Sequence, residues 1–208
     1  RDQPRSRGLG DVYKRQVAAG NFMLLLFCTM LTSLILGMGV PTTANYVITS
    51  TIAAPALIQL GVPTLAAHMF VFYFGIIADI TPPVALAAYA GSAISGGDPL
   101  KTGVNASKLG IAAFIIPYVF VLSPQLLGIG ATFTSVLMTT TTAIIGMIGI
   151  SGAMIGQFYT RANVFERLIL AAGGLCLIDP HGLTDLIGVA LLVGVGVMQW
   201  FRSKKEKA

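Results

Sequence analysis

Residues 73–89 read YFGIIADITPPVALAAY, an apolar run broken in its middle by Asp79, Thr81 and the adjacent prolines Pro82 and Pro83. Between Val17 and Gly97, Asp79 is the sole formally charged side chain. An ionised Asp at the centre of a bilayer costs roughly 2.5–3.5 kcal/mol on insertion scales, so it has to face protein, water or an ion. The pieces on either side, Leu65 to Ala78 and Pro83 to Ser95, are shorter than the roughly 17–20 residues a spanning helix needs. Two such pieces joined at a proline-bearing turn predict a re-entrant hairpin with Asp79 at its tip. Non-helical backbone is tolerated at that depth only when buried in protein or lining a cavity.

The composition sets the solvent. Mean hydropathy is +0.82, 55% of residues are apolar and 10% are charged, where about 25% charged is usual for a soluble domain. The chain reads as an all-α integral membrane protein in a lipid bilayer. Its net charge of +5 does not point to nucleic acid, because the basic residues sit at the ends of apolar segments, where they set topology. Residues 1–16, RDQPRSRGLGDVYKRQ, hold seven of the charged residues. They have no apolar period and no signal-peptide plan, and read as sequence foreign to the fold, with the protein continuing upstream. Cys28 and Cys176 lie in apolar runs without metal or redox spacing, which predicts packing roles.

The organisation follows from the apolar runs. Residues 17–127 read as a transport region, 128–201 as C-terminal membrane helices, and 202–208 as a basic cytoplasmic tail. The expected elements are Val17 to Leu36, Thr42 to Leu60, the two hairpin pieces, Val104 to Leu122, Thr132 to Gln157, Phe165 to Ile178 and Thr184 to Phe201. The stretch GMGVPTTANY, 37–46, puts two glycines and a proline inside an apolar tract and predicts a broken helix, since Pro41 lacks an amide hydrogen. With Arg202, Lys204, Lys205 and Lys207 inside, Arg161, Arg167, Lys101 and Lys108 also fall inside. Both ends of the expected hairpin are then cytoplasmic.

A broken helix beside a hairpin is a recurring ion and substrate site, with carbonyls and half-helix C-termini for Na⁺ and half-helix N-termini for anions. The candidate residues are Gly37, Gly39, Thr42, Thr43, Asn45, Asp79, Thr81, Pro82 and Pro83, with Thr42, Thr43, Asp79 and Thr81 as Na⁺ ligands. No other cofactor and no catalytic residue is expected. Plainer readings stand beside these: a kink at Gly37 to Pro41, threonines bonded back to their own helix, and Asp79 as a tip cap. His68 reads as a polar anchor, Asp98 and Asp179 as turn residues, the run IGMIGISGAMIG, 145–156, with Gly152 and Gly156 at GxxxG spacing, as a stretch that lets helices approach closely, and Thr139 to Thr142 as back-bonded.

From Gly37 to Pro99 the sequence resembles the large membrane subunit of tripartite ATP-independent periplasmic (TRAP) transporters, carried by GM-x-x-x-TT followed by TPPV. The tail, through ERLILAAGGLCLIDPHGLTDLIG, is similar to fused permeases that work with TAXI-type binding proteins. The resemblance implies the second half of an elevator-type fold in a bacterial inner membrane. It implies sodium-driven symport of organic anions, C4-dicarboxylates among the class, delivered by a periplasmic solute-binding protein. Ala85 stands where many members have Gly, and Pro41 where many have an acidic residue; both departures suit the TAXI branch. The alternatives are an elevator-type anion symporter without a binding protein, a non-transporting membrane scaffold, and an intramembrane aspartyl protease. The last needs two carboxylates, and no second mid-span acid accompanies Asp79.

Overall fold

A computed structural model describes residues 22–178 and 182–206. Residues 1–16, the start of the first run at Val17, the turn residues Asp179, Pro180 and His181, and Lys207 lie outside the described residues. The described residues form helices without a β-strand: α1 (Phe22–Gly37), α2 (Thr42–Ile52), α3 (Ala54–Gln59), α4 (Thr64–Ile77), α5 (Leu86–Ser95), α6 (Pro99–Leu109), α7 (Ile111–Leu122), α8 (Phe133–Ile155), α9 (Val164–Cys176) and α10 (Gly182–Glu206). The all-α membrane reading therefore holds. Phe133–Ile155 and Leu183–Lys204 are each long and apolar enough to cross a membrane. The expected single run from Val104 to Leu122 is instead the end of α6 plus α7, bent by 41° at Gly110. At the bend Gly110 lies close against the break: a methyl group there would lie 2.7 Å from Ile80 Cδ1.

The two special elements exchange places relative to the sequence expectation. α1 packs alongside α4 in the same sense: Met30 meets Tyr118, whose ring also meets Phe70 and Phe74, while Gly37 further along α1 meets Gly75 and Ala78. The α2–α3 arm runs the opposite way, with Asn45 at Gly75, Tyr46 at Phe72 and His68, and Leu57 joined to Val62 just before α4 begins. α1 and α2 are thus the antiparallel arms of a helical hairpin, and Met38 to Pro41 is its tip. α4 and α5 do not lie against each other; α5 packs on α6. The segment Thr64–Ser95 is the broken helix. Length could not separate the two, since both are pairs of short apolar pieces; the deciding interaction is which arm packs on α4.

The core of this region is built on Leu26, Leu57, Phe70 and Phe74, all fully buried. Leu24, Phe27, Leu31 and Ile35 line the outer side of α1 and remain exposed, as a lipid-facing stripe does. Cys28 is exposed on the same helix and Cys176 is half-buried; both are free.

The C-terminal helices form a second packed group. α8 and α9 cross where Gly146 faces Gly174: a methyl at either would lie within 2.8 Å of the other's carbonyl oxygen. Gly146 lies in the glycine-rich run 145–156 expected to pack closely, although Gly152 and Gly156, at GxxxG spacing within it, do not make this crossing. Gly152 sits under Phe158, and Gly156, with φ +79°, ends α8 beside Arg167. Arg167 donates from Nε to Ala153 O (2.6 Å) and from Nη2 to Met154 O (3.0 Å), satisfying carbonyls that a helix end leaves open. Glu166, 3% exposed, accepts from Asn163 N (3.0 Å) and from Gln199 Nε2 (2.9 Å) and is paired with Arg202. Gln199 Oε1 in turn accepts from the amides of Tyr159 and Thr160. One buried carboxylate thereby ties α9, α10 and the loop before α9 together. Thr141 and Thr142 donate to Leu137 O and Met138 O, as back-bonded helix threonines.

Candidate ion and substrate site

The hairpin tip and the helix break meet. α1 ends at Gly37, and Gly39 takes φ +76°, a left-handed turn that glycine enters without strain. Pro41, with φ −55°, then starts α2. On the other side, α4 tightens into a 3₁₀ turn over Ala78–Ile80 before the break at Thr81 to Ala85. A methyl at Gly37 would lie 2.9 Å from Ala78 Cβ and 2.8 Å from Gly75 O, and one at Gly39 would lie 3.8 Å from Val84 Cγ1. Two half-helix C-termini, those of α1 and of α4 with its turn, therefore adjoin, and the N-termini of α2 and α5 leave from the same place. The C-termini present partial negative charge and the N-termini partial positive charge.

The expected site residues divide by position. Gly37 and Asn45 are buried between α1, α2 and α4. Asp79, Thr81 and Pro82 are half-buried at the break, and Pro83 is exposed beside them across a cis Pro82–Pro83 peptide bond. Asp79 makes no hydrogen bond or ion pair with the described residues. Thr81 Oγ1 donates to Ile77 O at 2.7 Å, which leaves its oxygen lone pairs open. Thr42 and Thr43 are exposed at the first turn of α2, at the end that favours an anion. Gly39 is exposed on the tip.

A census of carbonyls narrows what could hold a cation. On the break, Ala78 O accepts from Thr81 N, Thr81 O from Ala85 N, Ile80 O from Ser107 Oγ (2.9 Å) and Pro83 O from the Tyr89 hydroxyl (2.6 Å). On the tip, Gly37 O and Pro41 O are taken by Val40 N and Asn45 N. The carbonyls of Met38, Gly39 and Val40, and of Pro82 and Val84, accept nothing among the described residues. These carbonyls and the Asp79 carboxylate are all oxygen donors, the ligand type a hard cation takes.

Sequence reasoning passed over several residues that shape this locus. Ser107 and Tyr89 hold the break from α6 and α5, and Gly103 lets α6 approach: a methyl there would sit 3.3 Å from Pro82, Ala85 and Tyr89. Gly75 is the partner of Gly37; a lone glycine directly after the aromatic run Phe70 to Phe74 was its visible signal. Asp98 caps α6 through Lys101 N (2.8 Å), in keeping with its turn reading. His68 Nδ1 and the Tyr46 hydroxyl are 3.0 Å apart, a polar partner for the expected anchor. A cavity of about 380 Å³ adjoins the break, between Thr81, Pro82, Ser107 and Lys108 on one side and Phe114 and Met154 on the other.

Ala85 carries the strain of the break. Its φ of +35° and ψ of +48° are left-handed, and its side chain is fully buried. A non-glycine residue pays about 1–2 kcal/mol for that conformation. Ala85→Gly is expected to raise the thermal midpoint of the purified permease, while Ala85→Val should lower it; equal midpoints for the three would show that the turn relaxes.

An apolar helical bundle in which a hairpin faces a broken helix is the architecture of an all-α integral membrane protein. Residues 13–135 match the family model described as "Tripartite ATP-independent periplasmic transporter, DctM component". The chain belongs to that family and is a permease component of a TRAP transporter. No curated protein and no solved structure matches it.

Proposed function

We propose that this region is the ion- and substrate-binding half of a sodium-driven importer of organic carboxylates, supplied by a periplasmic solute-binding protein of the TAXI type. The observation that carries the reading is the meeting of tip and break, where two half-helix C-termini adjoin and both segments carry open carbonyls, with Asp79 unpartnered on the break. Na⁺ would be held by Asp79, Thr81 Oγ1 and the free carbonyls of residues 38–40, 82 and 84. Partial negative charge from the C-termini of α1 and α4 adds to the attraction. The anionic substrate would lie toward the N-termini of α2 and α5, where Thr42 and Thr43 offer hydroxyls and amides.

The membrane in question is the bacterial inner membrane. With the basic tail and Lys101 inside, the hairpin opens toward the periplasm rather than the cytoplasm, because it is α1–α3 and not α4–α5 that re-enters. Na⁺ and solute would bind together and stiffen the tip, after which the hairpin and the broken helix move across as one body. The test is uptake of carboxylates into proteoliposomes holding the permease. The reading expects transport with an inward Na⁺ gradient and binding protein, and little with K⁺ or without the binding protein. Uptake that needs no binding protein would favour the binding-protein-independent symporter. In the same assay Asp79→Asn should raise the Na⁺ needed for half-maximal uptake about tenfold or more, one lost charge-assisted contact being worth roughly 1.5–3 kcal/mol. An unchanged Na⁺ requirement would remove Asp79 from the site.

A further inference from the structure

Asn45 is 2% exposed and sits inside the hairpin against α4. Its Nδ2 atom occupies space that a side chain at two other positions would claim: a methyl at Gly37 would lie 2.7 Å from it, and one at Gly75 would lie 2.5 Å from it. The two glycines thus form a notch, one wall from the hairpin arm and one from the broken helix, and the Asn45 amide fills it. Oδ1 has no hydrogen-bond partner among the described residues, and neither has buried Ser33 Oγ, one helical turn before Gly37 on α1. A buried, unpaired polar group costs about 1–3 kcal/mol. General packing would be served better by an aliphatic side chain, so the amide is kept for something more specific than filling space.

We infer that Asn45 is a positioning residue: its amide wedges in the Gly37–Gly75 notch and holds the hairpin tip against the helix break. This rests on the sodium-site reading above, and adds that the two halves of the site are held together by a side chain that need not touch the ion. The placement is specific to these residues. Asn45 follows the tip by one turn of α2, Gly37 ends the preceding arm, and Gly75 lies one turn before Asp79 on α4. A shift of the wedge therefore moves the tip carbonyls relative to Asp79. Thr49, fully buried, donates to Asn45 O (2.9 Å) and secures the α2 turn that carries the wedge.

The test uses Gly75→Ala, Asn45→Ala and the double variant in the permease, with two readouts: thermal midpoint in K⁺ buffer, and the Na⁺ concentration for half-maximal uptake. Gly75→Ala sets a methyl against the amide and should lower the midpoint and raise the Na⁺ requirement by about tenfold, the scale on which contacting residues couple. Removing the amide as well should restore a large part of both, so that the double variant is better than Gly75→Ala alone. Asn45→Ala alone should raise the Na⁺ requirement while maximal uptake at saturating Na⁺ changes little. Additive losses in both readouts would overturn the wedge. If wild-type uptake is indifferent to Na⁺, the sodium reading fails by itself, and compensation in the K⁺ midpoint still decides whether Asn45 joins tip to break.

Discussion

Gly37→Ala is expected to lower uptake by at least about tenfold while the protein still reaches the membrane. The added methyl would meet Gly75 O at 2.8 Å, Ala78 Cβ at 2.9 Å and Asn45 Nδ2 at 2.7 Å. One of those atoms belongs to the backbone of the neighbouring helix and cannot rotate away. Overpacking a close helical contact costs about 1–3 kcal/mol, and here the relief is a separation of the hairpin from the broken helix. The loss should appear as weakened Na⁺ dependence before it appears as unfolding. Gly91→Ala is the matched control, since a methyl there meets nothing within 4 Å. Equal uptake by the two variants would mean that tip and break do not pack as described.

The second large effect lies in the C-terminal helices. Glu166→Ala should destabilise the C-terminal helices by about 3 kcal/mol, the low end for breaking a buried charge pair. The low end applies because the Arg202 side chain is 35% exposed and can regain water, whereas that of Glu166 is 4% exposed. The substitution also leaves Gln199, fully buried, with one hydrogen bond fewer, and removes the side chain that caps Asn163 N. Thermal unfolding of the purified permease measures the loss. The Na⁺ requirement of the surviving protein should stay at the wild-type value. A changed requirement would couple the C-terminal helices to the ion site.

How far the sequence reached can be judged residue by residue. The membrane class followed from composition alone, and the interruption of the helices at both GMGVPTT and DITPP followed from polar and helix-breaking residues in apolar tracts. Which of them is the hairpin did not follow, because both are pairs of pieces too short to span and proline serves equally at a tip and at a break. The answer lay in contacts between residues some thirty to forty positions apart, Gly37 and Asn45 with Gly75, for which local pattern carries no signal. Glu166 was passed over for a related reason. Between Arg161 and Arg167 it reads as one more interfacial charge, although its spacing three after Asn163 is that of a capping box, and its partners Gln199 and Arg202 come from a later helix. Close packing was legible along the glycine-rich run 145–156, but not its position: the crossing falls at Gly146 and not at the GxxxG-spaced Gly152 and Gly156, the latter of which ends the helix.

The central claim is that tip and break form one sodium site. It is tested most directly by placing a cysteine at Val40, on the tip, or at Val84, on the break, in a permease free of other reactive cysteines. The rate of alkylation of each is then followed as Na⁺ replaces K⁺ at constant ionic strength. Both positions are half-buried and within the set of residues whose carbonyls are open. Na⁺ should slow labelling at both with the same concentration dependence, and Asp79→Asn should shift both curves together. Protection of one cysteine without the other, or of neither, would contradict a shared site.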